Sequence, residues 1–112
     1  MKLTRIVLAS VLALAIVAPE AVGAAPGPLT RGKAFAQKYC SNCHNILRTG
    51  ASPNPKSPPF RALMQKYPID SLEEALAEGI VVGHEATDMP SFEFEPEQIS
   101  DLLAYIGRLK RR

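Results

Sequence analysis

Residues 40 to 44 read Cys40-Ser41-Asn42-Cys43-His44, and Cys40 and Cys43 are the only two cysteines among the 112 residues. On a helical turn, side chains three and four positions apart share a face, so both thiols and the imidazole of His44 project to one side. Two cysteines this close staple almost no chain, because the entropy removed by a cross-link grows with the loop it closes. The cluster is therefore better suited to holding something than to tying the chain to itself.

Four chemistries use such a pattern. A redox-active cysteine pair needs a preceding strand and a βαβ setting, and no convincing strand pattern is present. A structural zinc site needs four ligands, which Cys40, Cys43, His44 and the distant His84 supply only on paper. A bare disulfide is the third. The fourth takes the whole pattern: two thiols add across two vinyl groups of a porphyrin while the adjacent imidazole reaches its iron, the Cys-x-x-Cys-His arrangement of covalent haem attachment. Cys40 and Cys43 are thus the expected attachment points of one haem c, and His44 an expected iron ligand.

Outward from the motif the pattern is helical. Thr30 is placed to cap a helix from Arg31 to about Tyr39 that runs into Cys40. Gly50 to Pro59 contains four prolines, which lack backbone donors and push their predecessors toward extended geometry, so an ordered loop is expected there. Phe60, Leu63, Met64 and Tyr67 at i, i+3, i+4 and i+7 predict a short helix stopped by Pro68. Ser71-Leu72-Glu73-Glu74 reads as a capping box for another short helix that Gly79 would end. Pro96 suits the first position of a last helix, with Ile99, Leu102, Leu103, Ile106 and Leu109 as its apolar stripe. The expected fold is all-α, with three to four short helices wrapped around the haem.

Three side chains compete for the iron face opposite His44. Met64 falls on the apolar face of a short helix, where a flexible thioether fills gaps. His84 is a loop imidazole. Met89 stands in the polar loop Thr87-Asp88-Met89-Pro90-Ser91-Phe92, where no helical period calls for a buried hydrophobe and Pro90 stiffens the chain.

The first 24 residues read as a separate unit. Lys2 and Arg5 precede an uncharged run from Ile6 to Val17, and Val22-Gly23-Ala24 offers the small residues of a cleavage site. The run is shorter than the roughly 20 residues of a membrane-crossing helix. Residues 1–24 are expected to be a cleaved secretory signal, residues 25–112 the working domain, and the periplasm its location, with no membrane anchor in the mature form. Charge is sorted along that domain: seven bases between Arg31 and Lys66, ten acids between Asp70 and Asp101, four bases from Arg108 onward. A whole-chain net charge of +2 lacks the basic excess of a nucleic-acid binder.

The stretches Gly32 and Phe35, Cys40 to His44, Ser57-Pro58-Pro59-Phe60, Gly83-His84, Met89-Pro90-Ser91-Phe92 and Ile99 to Ile106 together resemble the bacterial periplasmic single-haem cytochromes c. Residues Glu85 to Asp88 make one loop slightly longer than that family's pattern. The resemblance implies His44 and Met89 as axial iron ligands, and a prolyl carbonyl, from Pro58 or Pro59, accepting the Nδ1 proton of His44. It implies first and last helices that cross, with Gly32 and Phe35 against Leu102 and Tyr105. It implies a one-electron carrier, not an enzyme, working between redox partner proteins such as a dehydrogenase, an oxidase or a respiratory complex. A haem-based sensor of small ligands and a structural cytochrome subunit of a dehydrogenase complex are the alternatives from other classes.

Overall fold

In the computed structural model, which describes residues 15–79 and 89–110, four helices follow one another along the chain: α1 (Pro28–Tyr39), α2 (Phe60–Lys66), α3 (Ile69–Glu78) and α4 (Pro96–Arg108). The described residues contain no strand. The expected apolar stripe of α4 is the core: Ile99, Leu102, Leu103, Ile106 and the capping Leu109 are all buried, Leu102 to 2% exposure. Burying a side chain of this size is worth about 1.5–3 kcal/mol. Those five residues therefore hold the other elements to α4, against which α1, α2 and α3 all pack.

Helix α1 crosses α4 closely. A Cβ built on Gly32 would overlap the Asp101 carbonyl oxygen and come within 2.9 Å of Tyr105 Cβ. Glycine is thus required here by the approach of two backbones. An alanine gains about 1 kcal/mol of helix propensity but meets main chain that cannot swing away. Gly32→Ala is therefore expected to destabilise the domain by about 3 kcal/mol, at the upper end of overpacking costs, as a fall in thermal midpoint. An unchanged or raised midpoint would show that the helices are not in this contact. The expected crossing is found: Gly32 faces Asp101 and Tyr105, and Phe35 packs against the core that includes Leu102 and Tyr105 and lies edge-on to Phe94 with centroids 4.7 Å apart.

Next to the crossing, Arg31 grips Asp101 with two parallel bonds, Nε to Oδ2 at 2.6 Å and Nη2 to Oδ1 at 2.8 Å. Asp101 is only 6% exposed, and a carboxylate so placed needs a paired donor to offset lost hydration. A planar guanidinium matches it in fork geometry. The hydrogen bond to Asp101 raises the Arg31 pKa further above its ordinary value.

Two helix starts differ from the sequence reading. Helix α1 begins at Pro28, with Gly27 as its N-cap and Arg31 N–H donating to the Gly27 carbonyl at 3.0 Å, so Thr30 lies inside the helix. Proline fits the first position because its missing donor is not needed there and its φ is already helical. Helix α3 begins at Ile69 after Pro68, without a side-chain cap. Ser71 is therefore in the first turn and the expected capping box does not form. A different box starts α4: the Glu95 side chain accepts from the Gln98 backbone, and Glu95 N–H donates to Gln98 Oε1 at 3.0 Å. Pro96 takes the first position as expected, and Gly79, at φ +77°, ends α3.

Candidate haem site

The hydrogen bonding of α1 carries through its C-terminus into the motif. Cys40 N–H donates to the Ala36 carbonyl at 2.9 Å, and the Cys40 carbonyl accepts from both Cys43 (3.2 Å) and His44 (2.9 Å). His44 is thus one helical turn beyond Cys40, as the spacing predicts. Burial pushes the Cys40 thiol up to about 11. Cys43 is exposed and the two form no disulfide.

The proline-rich loop folds back under the motif. Asn54 N–H donates to the Cys43 carbonyl at 3.1 Å, and Phe60 N–H to the Asn45 carbonyl at 2.9 Å. Asn45 N–H donates to Ser52 Oγ at 3.0 Å. The loop therefore presents its prolyl carbonyls to the imidazole. Of the two candidates, Pro58 is the partner: His44 Nδ1 lies 2.7 Å from its carbonyl oxygen. A carbonyl only accepts, so Nδ1 carries the proton and the Nε2 lone pair is left free. Phe60 packs at 5.4 Å from the imidazole, centroid to centroid.

Cys40, Cys43, His44 and Met89 all line one cavity of about 1270 Å³. Ordinary small-molecule pockets span about 300–1,000 Å³, so this one suits a large ligand. Its walls are mainly apolar, from Phe60, Leu63, Leu72, Leu76, Phe92 and Ile106 among others. A flat apolar macrocycle, two thiols and one imidazole with a free Nε2 fit one another: the donor set is that of covalent haem attachment.

The two methionines described in this region are separated by the fold. Met64 is half-buried against the core, on the α4 side, with its Sδ 3.7 Å from where a Cβ on Gly107 would stand, and it does not line the cavity. Met89 and Pro90 do. His84, Gly83 and the loop from Glu85 to Asp88 lie outside the described residues. Among the described residues no three His, Cys, Asp or Glu side chains are grouped as a metal cluster would need.

What anchors the Met89 segment was not foreseen from the sequence. Phe92 and Phe94 stack 5.0 Å apart, Phe94 sits 5.8 Å from Tyr39, and Phe92 sits 6.0 Å from it. The strip after Met89 is thereby fastened to the end of α1 just before Cys40. Alternating aromatics at 92 and 94 in a polar loop were the available signal. On the other side, Tyr105 O–H donates to the Ile46 carbonyl at 2.7 Å and Arg48 Nη2 to the Arg108 carbonyl at 2.8 Å. These bonds fix the chain leaving the motif to α4.

A sequence model of the family described as Cytochrome c matches residues 29–110. No curated protein matches the chain, and no solved structure matches it.

Proposed function

Because the chain belongs to the cytochrome c family, whose domains imply haem-based electron carriers, we propose that it is a periplasmic shuttle of single electrons between redox proteins. Cys40 and Cys43 are the thioether attachment points, and His44 and Met89 the two axial ligands. The observation that carries this reading is that all four side chains line one cavity, with His44 Nδ1 already committed to the Pro58 carbonyl.

Bound haem supplies a reversible one-electron iron couple, whose potential follows axial ligation, hydrogen bonding and burial. The chain's own residues do the rest. The Pro58 carbonyl holds the His44 ring in one tautomer and one orientation, as partners of a metal-ligating histidine do. Phe92 and Phe94 hold the Met89 segment in place against Tyr39. The mainly apolar walls offer a bound macrocycle a surface of low polarity. With His44 and Met89 both engaged, no coordination position is left for a substrate, which favours carrying electrons over transforming molecules.

Export is part of the same proposal. Residues 15–24 form no helix and are exposed throughout, so they add nothing to the core, and cleavage after Ala24 would keep both the N-cap Gly27 and the Pro26 carbonyl that accepts from Arg31. No helix of the described residues is long and apolar enough to cross a membrane. The partners are proposed to be redox proteins, a dehydrogenase, an oxidase or a respiratory complex.

Spectroelectrochemical titration of the purified protein tests the function. One reversible electron per chain is expected, and the ferrous spectrum should be unchanged for minutes under carbon monoxide. Rapid carbon monoxide uptake would replace this reading with that of a ligand-binding sensor.

A further inference from the structure

Four aromatic rings meet where α1 ends. Phe35 and Tyr39 have centroids 4.7 Å apart and lie four positions apart, the spacing that puts two side chains on one helical face. On the strip between Met89 and α4, Phe92 and Phe94 are half-buried while Ser91, Glu93 and Glu95 are exposed, the alternation of extended chain. Four residues of helix rise about 6 Å and two of extended chain about 6.6 Å. The two ladders therefore match in pitch: Phe35 meets Phe94 at 4.7 Å, and Tyr39 meets Phe92 at 6.0 Å.

The two rungs have different surroundings. Phe35 and Phe94 pack against the core, and that accounts for them. Tyr39 stands outside the core and keeps 36% of its surface exposed. Its contacts lead instead to Met89. Phe92 is three residues beyond Met89, and between them Pro90 fixes one backbone dihedral, so a ring held at 92 restricts where the methionine can go. The main chain here also rests on the end of α3, since a Cβ on Gly79 would stand 3.5 Å from Ser91 Oγ and 3.7 Å from the Phe92 carbonyl oxygen. Tyr39, Met89, Pro90, Phe92 and Phe94 all line the cavity.

We infer that Tyr39 is a positioning residue that keeps the iron closed to outside ligands: by bracing Phe92 it confines Met89, and without it the methionine leaves the iron more often. The inference rests on the ligation by His44 and Met89 proposed above. A thioether is an uncharged, weak ligand, and a ligand carried by the chain binds at an effective concentration that the chain's confinement sets. Tyr39 directly precedes Cys40, so the turn of α1 that carries the first attachment point also braces the ligand on the opposite face. This brace separates a carrier of electrons from a binder of small molecules.

The test is the rate at which the ferrous holoprotein takes up carbon monoxide at saturating gas, where departure of Met89 limits the reaction. Tyr39→Ala should raise this rate about tenfold, the factor to which the loss of two aromatic contacts corresponds. Tyr39→Phe keeps the ring and should restore the wild-type rate. Tyr39→Leu, with apolar bulk but no ring, gives the same reading as alanine where the alanine variant fails to mature. Met64→Ala loosens the core side without touching the brace and should leave the rate unchanged. Phe92→Ala should also accelerate uptake, and adding Tyr39→Ala to it should change little, because the two residues act through one contact. An unchanged rate in both Tyr39→Ala and Tyr39→Leu, an equal rise in Met64→Ala, or effects of Tyr39→Ala and Phe92→Ala that multiply in full overturns the brace. Wild-type ferric protein without the far-red sulfur-to-iron band overturns the ligation reading itself, and that failure is visible before any variant is made.

Discussion

Replacing both cysteines, Cys40→Ser with Cys43→Ser, is expected to abolish the covalent pigment and with it the cooperative fold. The reasoning starts from size. The matched domain, residues 29–110, is small enough that its core leaves little stability in reserve. Around a cavity of about 1270 Å³ the helices α2 and α3 pack on α4 over limited surfaces, and the rest of their apolar faces looks into the hollow. A group that fills the hollow contributes its binding free energy to folding, and losing it leaves α2 and α3 without much of the surface they pack against. Wild type made in a host with cytochrome maturation machinery should keep its colour on the polypeptide through acid-acetone extraction. Its mass should equal one haem plus a chain beginning at Ala25. The double variant should show neither the mass increment nor a cooperative thermal transition. Freely extractable haem in wild type, or an equally cooperative transition in the double variant, would refute the attachment.

Met89→Ala is expected to remove the weak far-red sulfur-to-iron band of the ferric protein and to lower the midpoint potential. Thioether ligation favours ferrous iron, and loss of it forfeits that preference. A fall on the order of 100 mV is reasonable against the ~0.8 V that axial ligation spans across haem proteins. Met64→Ala supplies the contrast. Its side chain packs toward α4 near Gly107 rather than into the cavity. It should therefore keep both band and potential while costing about 1–2 kcal/mol of stability, less than the 2–5 kcal/mol of a fully buried methionine. His84→Ala completes the set: if it changes the band and the potential while Met89→Ala does not, the iron is held by two histidines.

The helices were legible in the sequence to different degrees, and the differences have physical causes. Helix α4 was read nearly residue for residue, because a stripe from Ile99 to Leu109 and a proline at the first position are local signals that tertiary packing only reinforces. The starts of α1 and α3 were misplaced for one reason. Thr30 and Ser71 are good caps by side chain, but Pro28 and Pro68 nearby set the backbone entry first. A capping hydroxyl contributes about 1 kcal/mol, whereas extending a helix backward through a favourable first turn adds residues and hydrogen bonds.

By itself the sequence determined the class of helical fold and the chemistry of the motif. Both rest on spacings of three and four residues, which a helical turn converts into shared faces without reference to the rest of the chain. Only the tertiary structure decided between Pro58 and Pro59, since both carbonyls are available in sequence and the loop's bonds to Asn45 and Cys43 choose which one meets His44. It alone paired Arg31 with Asp101 and Tyr105 with the Ile46 carbonyl, across separations of 70 and 59 residues. It also sent Met64 to the core side and Met89 to the cavity. Contacts this distant depend on how α1 crosses α4, and that crossing is set by the packing of whole helices around Gly32 rather than by any pattern within one of them.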